Sequence, residues 1–120
     1  MRIPLSEYTA VETAVNTLGE ANISCDFDCC RELFHDKAFI AGYVGGTVIP
    51  GSVKELETAI ESQGLLPNFR NRMDILAMDD GIAVVRVPEE EVVGKCYVNY
   101  LTMAKAGGEW KCIAMVYTQS

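Results

Sequence analysis

The chain has 120 residues, 49% of them hydrophobic, with ten basic and seventeen acidic side chains giving a net charge of −7. That length suits one domain with a core of its own, and no stretch approaches the ~20 apolar residues that a bilayer-spanning helix needs. The acidic balance opposes phosphate backbones and anionic surfaces, so neither nucleic acid nor a membrane is an expected partner.

Along the chain, Glu7 and Glu12 break the apolar run that an export signal would need, and a cytoplasmic location is expected. Ser6 can cap a first helix. Tyr8, Val11, Val15 and Leu18 then recur at three- and four-residue steps, giving one apolar face to about Leu18, with Gly19 as a stop. A second, shorter helix is expected after Ser24. Asp26 and Asp28 fall in its first turn, where carboxylates favour the helix dipole, and Phe27, Cys30, Leu33 and Phe34 form its buried side. His35 then sits at its end, where an imidazole can cap carbonyls.

From Ala38 the period changes to that of a strand, and Gly45-Gly46 is a hairpin signal before Thr47-Val48-Ile49. Ser52-Val53-Lys54-Glu55 is a capping box, opening a third helix with Val53, Leu56 and Ile60 on its core face. Phe69 to Met78, Ile82 to Val87, Lys95 to Lys105 and Trp110 to Thr118 read as strands, with Asp80-Gly81 as the first turn between them. The Glu89-Glu90-Glu91 run reads as a solvated turn. Hairpins without intervening helices make the sheet mainly antiparallel. The expected class is therefore α+β, a single domain over residues 1–120 with about three helices ahead of the sheet.

Five cysteines, Cys25, Cys29, Cys30, Cys96 and Cys112, include no Cys-x-x-Cys pair and accompany a single histidine. No metal site and no disulfide framework is expected from that pattern. Buried free thiols are the plain reading, with a reactive Cys29 or Cys30 as the alternative.

In this order of elements, Leu33-Phe34-His35-Asp36-Lys37-Ala38, the capping-box helix, and Tyr97-Val98-Asn99-Tyr100-Leu101 followed by Gly108-Glu109-Trp110-Lys111 resemble a known group. They are similar to the nuclear transport factor 2-like superfamily, of cystatin-like fold, and within it to the proteins labelled putative lumazine-binding or SnoaL-like. The resemblance implies a cone, in which a strongly bent sheet and its covering helices enclose an apolar cavity. It also implies a homodimer through the outer face of the sheet.

Ketosteroid isomerase is an enzyme of this superfamily that uses an Asp base and an oxyanion site of a Tyr and a protonated Asp. Matched on Leu33-Phe34, the strand position of the base falls on Gly42, which has no proton acceptor. The oxyanion Tyr falls near Ala14 and the oxyanion Asp on Asn99, whose amide can still donate a hydrogen bond. Steroid isomerisation is not expected. No cofactor is expected either.

Alternation along the strand puts Tyr97, Asn99 and Leu101 on one face and Val98 and Tyr100 on the other. The resemblance thus marks Asn99, and alternation adds Tyr97 on its face. Tyr8 and Tyr117, as tyrosines suited to line a pocket, and Met115, as a soft, adaptable wall, complete the expected pocket residues, holding a small apolar or aromatic molecule. Two alternatives stand beside a simple binder. One is a lyase or isomerase with Asn99 as carbonyl clamp and His35 or Asp26 as proton carrier. The other is a dimerisation or protein-association module.

Overall fold

The structure is a computed structural model that describes residues 2–120. Its first helix, α1 (Leu5–Ser24), buries Val11, Val15, Leu18 and Asn22 along one stripe. It starts from Pro4 rather than from a Ser6 cap, and it runs through Gly19. A glycine is tolerated there because a Cβ would lie 2.8 Å from Asn71 Nδ2 and 3.7 Å from the Phe69 ring. Cys25 ends the helix in the left-handed region, at φ 59°.

The expected second helix is replaced by two single 3-10 turns, Phe27–Cys29 and Arg31–Leu33. Asp26 caps the first by accepting the Asp28 N–H at 3.0 Å, so the chain tightens after Cys25 instead of winding on. Phe27 stacks on Phe34 at 5.9 Å and Arg31 lies over the Phe27 ring at 5.2 Å. With only eight residues between Cys25 and the first strand, this apolar pair is buried without a full α-turn. Among the described residues there are thus two α-helices, not about three.

The strands are β1 (Phe34–Val44), β2 (Thr47–Gly51), β3 (Arg70–Asn71), β4 (Asp74–Asp79), β5 (Ile82–Val92), β6 (Lys95–Ala106) and β7 (Glu109–Gln119). Helix α2 (Val53–Ser62) follows β2, and Ser52 caps it by accepting the Glu55 N–H at 3.1 Å. Seven strands form one sheet in the order β2-β1-β7-β6-β5-β3, with β4 also paired to β5. Every pairing is antiparallel except β1 with β7.

The sheet is curved, as bulges require: the register shifts in β1–β7, β4–β5, β5–β6 and β6–β7. Its hollow face carries Ile40, Val85, Val87, Leu101 and Met115, which pack with Leu18 of α1 and Ile60 of α2 in one core. Arg31 binds Glu57 at 3.1 Å and Asp28 at 2.9 Å, tying α2 to the 3-10 turns.

β5 does not end at Val87. It continues through Pro88 and the acidic run, and the turn to β6 comes at Val93-Gly94. Pro88 lacks an N–H, but it lies in the gap between the β4 and β3 pairings, where no donor is needed.

Candidate functional site

Where the concave sheet meets the C-terminal half of α1 and the inner side of α2, it leaves a cavity of about 320 Å³. Leu18, Ile40, Leu56, Ile60 and Met115 give it an apolar wall. Asn22, Gln63, Glu89, Tyr97, Asn99 and Tyr117 supply its polar groups, and Glu55 and Ser52 lie where α2 begins. A mostly apolar hollow with a few convergent polar groups is the usual form of a small-molecule site.

Glu89 extends the inward series Val85, Val87 by one more two-residue step, and 6% of its surface is exposed. Directly across from it on β6 is Tyr97, and Asn99 is its diagonal neighbour, paired with Val87. One long contact supports the carboxyl, 3.5 Å from Asn22 Nδ2 to Glu89 Oε2. The same Asn22 nitrogen donates to Leu18 O at 3.1 Å, and Gln63 Nε2 donates to Asn22 Oδ1 at 3.1 Å. So little hydrogen bonding cannot offset lost hydration. Burial raises the Glu89 pKa from 4.5 to about 7, against a smaller downward pull from the nearby Asn99 amide.

Asn99 is 3% exposed, and its Nδ2 is buried with no hydrogen-bond partner. It lies near enough to Glu89 to favour the carboxylate weakly as a donor, without closing a full hydrogen bond to it. A buried amide without an acceptor costs free energy on the order of 1–3 kcal/mol. Such a donor on a cavity wall is available to a ligand oxygen. Chemically, the pair offers a carboxyl near half-ionisation at neutral pH beside an unused N–H donor.

Tyr97 donates to Gln119 Oε1 at 3.2 Å and meets the Tyr117 ring edge-on, with centroids 6.2 Å apart. Its phenol pKa is raised by burial, then by Tyr117 and Glu89. Tyr117 explains Gly42: a Cβ at that position would lie 2.3 Å from the tyrosine Cζ. Where the isomerase comparison places a base, this chain has an aromatic ring laid over bare backbone.

Four of the expected pocket residues, Asn99, Tyr97, Tyr117 and Met115, therefore line the cavity together. Tyr8 does not. It lies near the start of α1, roughly 20 Å along the axis from Asn22 at 1.5 Å per residue. His35 and Asp26 are also outside the lining. His35 belongs to β1, not to a helix end; its Nδ1 accepts the Lys37 N–H at 3.0 Å and lies 2.9 Å from Asp36 Oδ1. Asp26 is occupied as the cap described above. The cavity's buried carboxyl, Glu89, is hidden in sequence by the two glutamates that follow it. Its signal is the alternation Ala83, Val85, Val87, Glu89.

The cysteines stand apart from the cavity lining. Burial pushes Cys30 and Cys112 up to about 12, so both are inert thiols. Cys29 is exposed.

The family model described as putative lumazine-binding matches residues 6–118. A relative named aldolase FrzH, from Cladobotryum sp., is 27% identical over 116 residues, covering 96% of this chain and 93% of its own. A nuclear transport factor 2-like protein of unknown function from Methylobacillus flagellatus superposes with a TM-score of 0.91 at 22% identity. That match covers 99% of this chain and 96% of the other. A second such protein, from Shewanella baltica, gives a TM-score of 0.86 at 19% identity over 100% and 98% of the two chains. At these identities the solved structures speak for the fold.

Proposed function

The chain belongs to the putative lumazine-binding family of nuclear transport factor 2-like domains, and from that premise we propose that it binds a small carbonyl compound and enolises it. The observation that carries this reading is the juxtaposition of Glu89 and Asn99 on the cavity wall. Glu89 as carboxylate takes a proton from the carbon next to the carbonyl. The electrons of that C–H bond form the enolate C=C, and the carbonyl oxygen takes the negative charge. Asn99 Nδ2 donates to that oxygen, and the donor gains most when the charge is fully developed. Returning the proton to carbon gives exchange or isomerisation; attack of the enolate on a second carbonyl gives an aldol bond. The name of the 27%-identical relative, an aldolase, fits enolate chemistry in this scaffold. Among the described residues no lysine lines the cavity, so an imine to the protein is not offered there.

Deuterium exchange tests the proposal. Wild-type protein in D2O should exchange the α-protons of 4-methylcyclohexanone, followed by proton NMR, faster than buffer alone. Glu89→Gln should lower the protein-dependent rate at least about 100-fold. Asn99→Leu, similar in shape but without a donor, should lower it by a comparable factor. Exchange that proceeds at the wild-type rate in Glu89→Gln would sink the proposal. A cavity that binds the ketone without exchanging it would leave a binder only.

A second reading concerns assembly. The convex face carries Tyr100 and Val116 in register, each 42% exposed, with Phe39 at 57% on the neighbouring β1. Helices cover the other side, and this face supports a homodimer through the outer sheet.

A further inference from the structure

The charged groups of the cavity all have one sign. Glu89 stands in its depth and Glu55 at its mouth, while among the described residues no lysine, arginine or histidine lines it. Glu55 is exposed and makes no ion pair among the described residues, although its neighbours on α2 do: Lys54 lies 3.8 Å from Glu57, which also holds Arg31. Nor does its carboxylate close the capping box, since only its backbone N–H bonds to Ser52. Instead it reaches back over Gly51, where a Cβ would sit 3.6 Å from Glu55 Oε2. A carboxylate held at the opening without a counter-ion is joined by the independent feature within: the buried, unpartnered Asn99 Nδ2.

Building on the carbonyl reading above, we infer that the substrate is a small ketone or aldehyde bearing a protonated amine, held by Glu55 while its carbonyl rests at Asn99. Carboxylates and phosphates are turned away. An anion would bring its charge into a space already holding two carboxyl groups, with no cation to receive it and apolar walls that screen poorly. The ammonium finds the reverse, and the protein's overall charge of −7 adds an attractive field during approach. Room is limited to about 320 Å³, which suits a molecule of one or two rings.

Three ketones of one shape test this: 4-aminocyclohexanone, 4-methylcyclohexanone and 4-oxocyclohexanecarboxylate. Each is titrated into labelled wild-type protein at low salt, with the Asn99 side-chain amide as the NMR reporter. The amine should bind at least about fivefold more tightly than the methyl compound, and the carboxylate at least about tenfold more weakly. Glu55→Gln, which keeps the backbone cap of α2, should reduce the amine-to-methyl ratio to about twofold or less; circular dichroism verifies its fold. Equal or tighter binding of the carboxylate overturns the inference, as does an amine preference that survives Glu55→Gln. If the methyl compound binds and exchanges its α-protons while the amine has no advantage, this inference alone fails. If none of the three binds, the carbonyl site itself is wrong and this inference falls with it.

Discussion

Because burial moves Glu89 from 4.5 to about 7, the folded protein keeps a proton between those values that the unfolded chain has released. Unfolding therefore releases protons in that window, and stability falls as pH rises from about 4.5 to 7. The contribution is fully present below 4.5 and gone above 7, with a ceiling of about 3 kcal/mol at 1.36 kcal/mol per pKa unit. Glu89→Gln removes the ionisation while keeping the shape. Urea midpoints should show the variant more stable than wild type at pH 8 by on the order of 2 kcal/mol, and little different at pH 4.5. A variant less stable than wild type at pH 8 would contradict this. The carboxyl that lines the cavity thus costs the fold free energy near neutrality. Asn99 was legible from the position the family resemblance gives it, Tyr97 from strand alternation beside it, and Tyr117 and Met115 from side-chain type, and all four line the cavity. Glu89 was not read out, because a run of three glutamates normally marks water and Pro88 interrupts the alternation Ala83, Val85, Val87 that reaches it.

At the scale of elements, α1 shows how packing overrides a stop signal. Gly19 ends the apolar stripe in sequence, yet the helix continues to Ser24 and delivers Asn22 to the cavity. The end of the Asn71 side chain lies where a Cβ at position 19 would go, with the Phe69 ring beside it at ordinary contact distance, and neither is near in sequence. Gly19→Ala separates the two effects. Alanine gains about 1 kcal/mol of helix propensity, while its Cβ displaces only the free end of the exposed Asn71 side chain. A net gain of about 0.5 kcal/mol is expected, raising the thermal midpoint by about 2 °C. A loss of stability would mean that Asn71 cannot step aside. Similar non-local causes hid the true length of β5, where Pro88 is harmless only because two short strands meet beside it. By contrast, the Ser52 cap, the Gly45-Gly46 turn and the β4–β7 meander rest on local chemistry, and all were readable.

At the scale of the whole molecule, one side of the sheet is closed by helices and the other is bare. The bare side carries Phe39, Tyr43, Tyr100 and Val116 as large exposed groups, and Arg86 Nε lies 3.4 Å from Tyr100 Oη. Two copies joined face to face would bury Tyr100 and Val116 at the centre, and a stable pair of this kind hides about 1,600 Å² in all. Light scattering should then give wild type a mass near twice the 13.2 kDa of one chain. Tyr100→Glu places a carboxylate in the middle of that contact, where leaving water unpaired costs several kcal/mol, and it should run as a monomer with an unchanged circular dichroism spectrum. Identical monomeric masses for both proteins would reject the dimer. Because Tyr100 and Asn99 are consecutive on β6 and point to opposite faces, the same variant also asks whether the cavity depends on assembly. The Glu89–Asn99 pair is built entirely within one chain, so ketone exchange by the monomer should persist at about the wild-type rate.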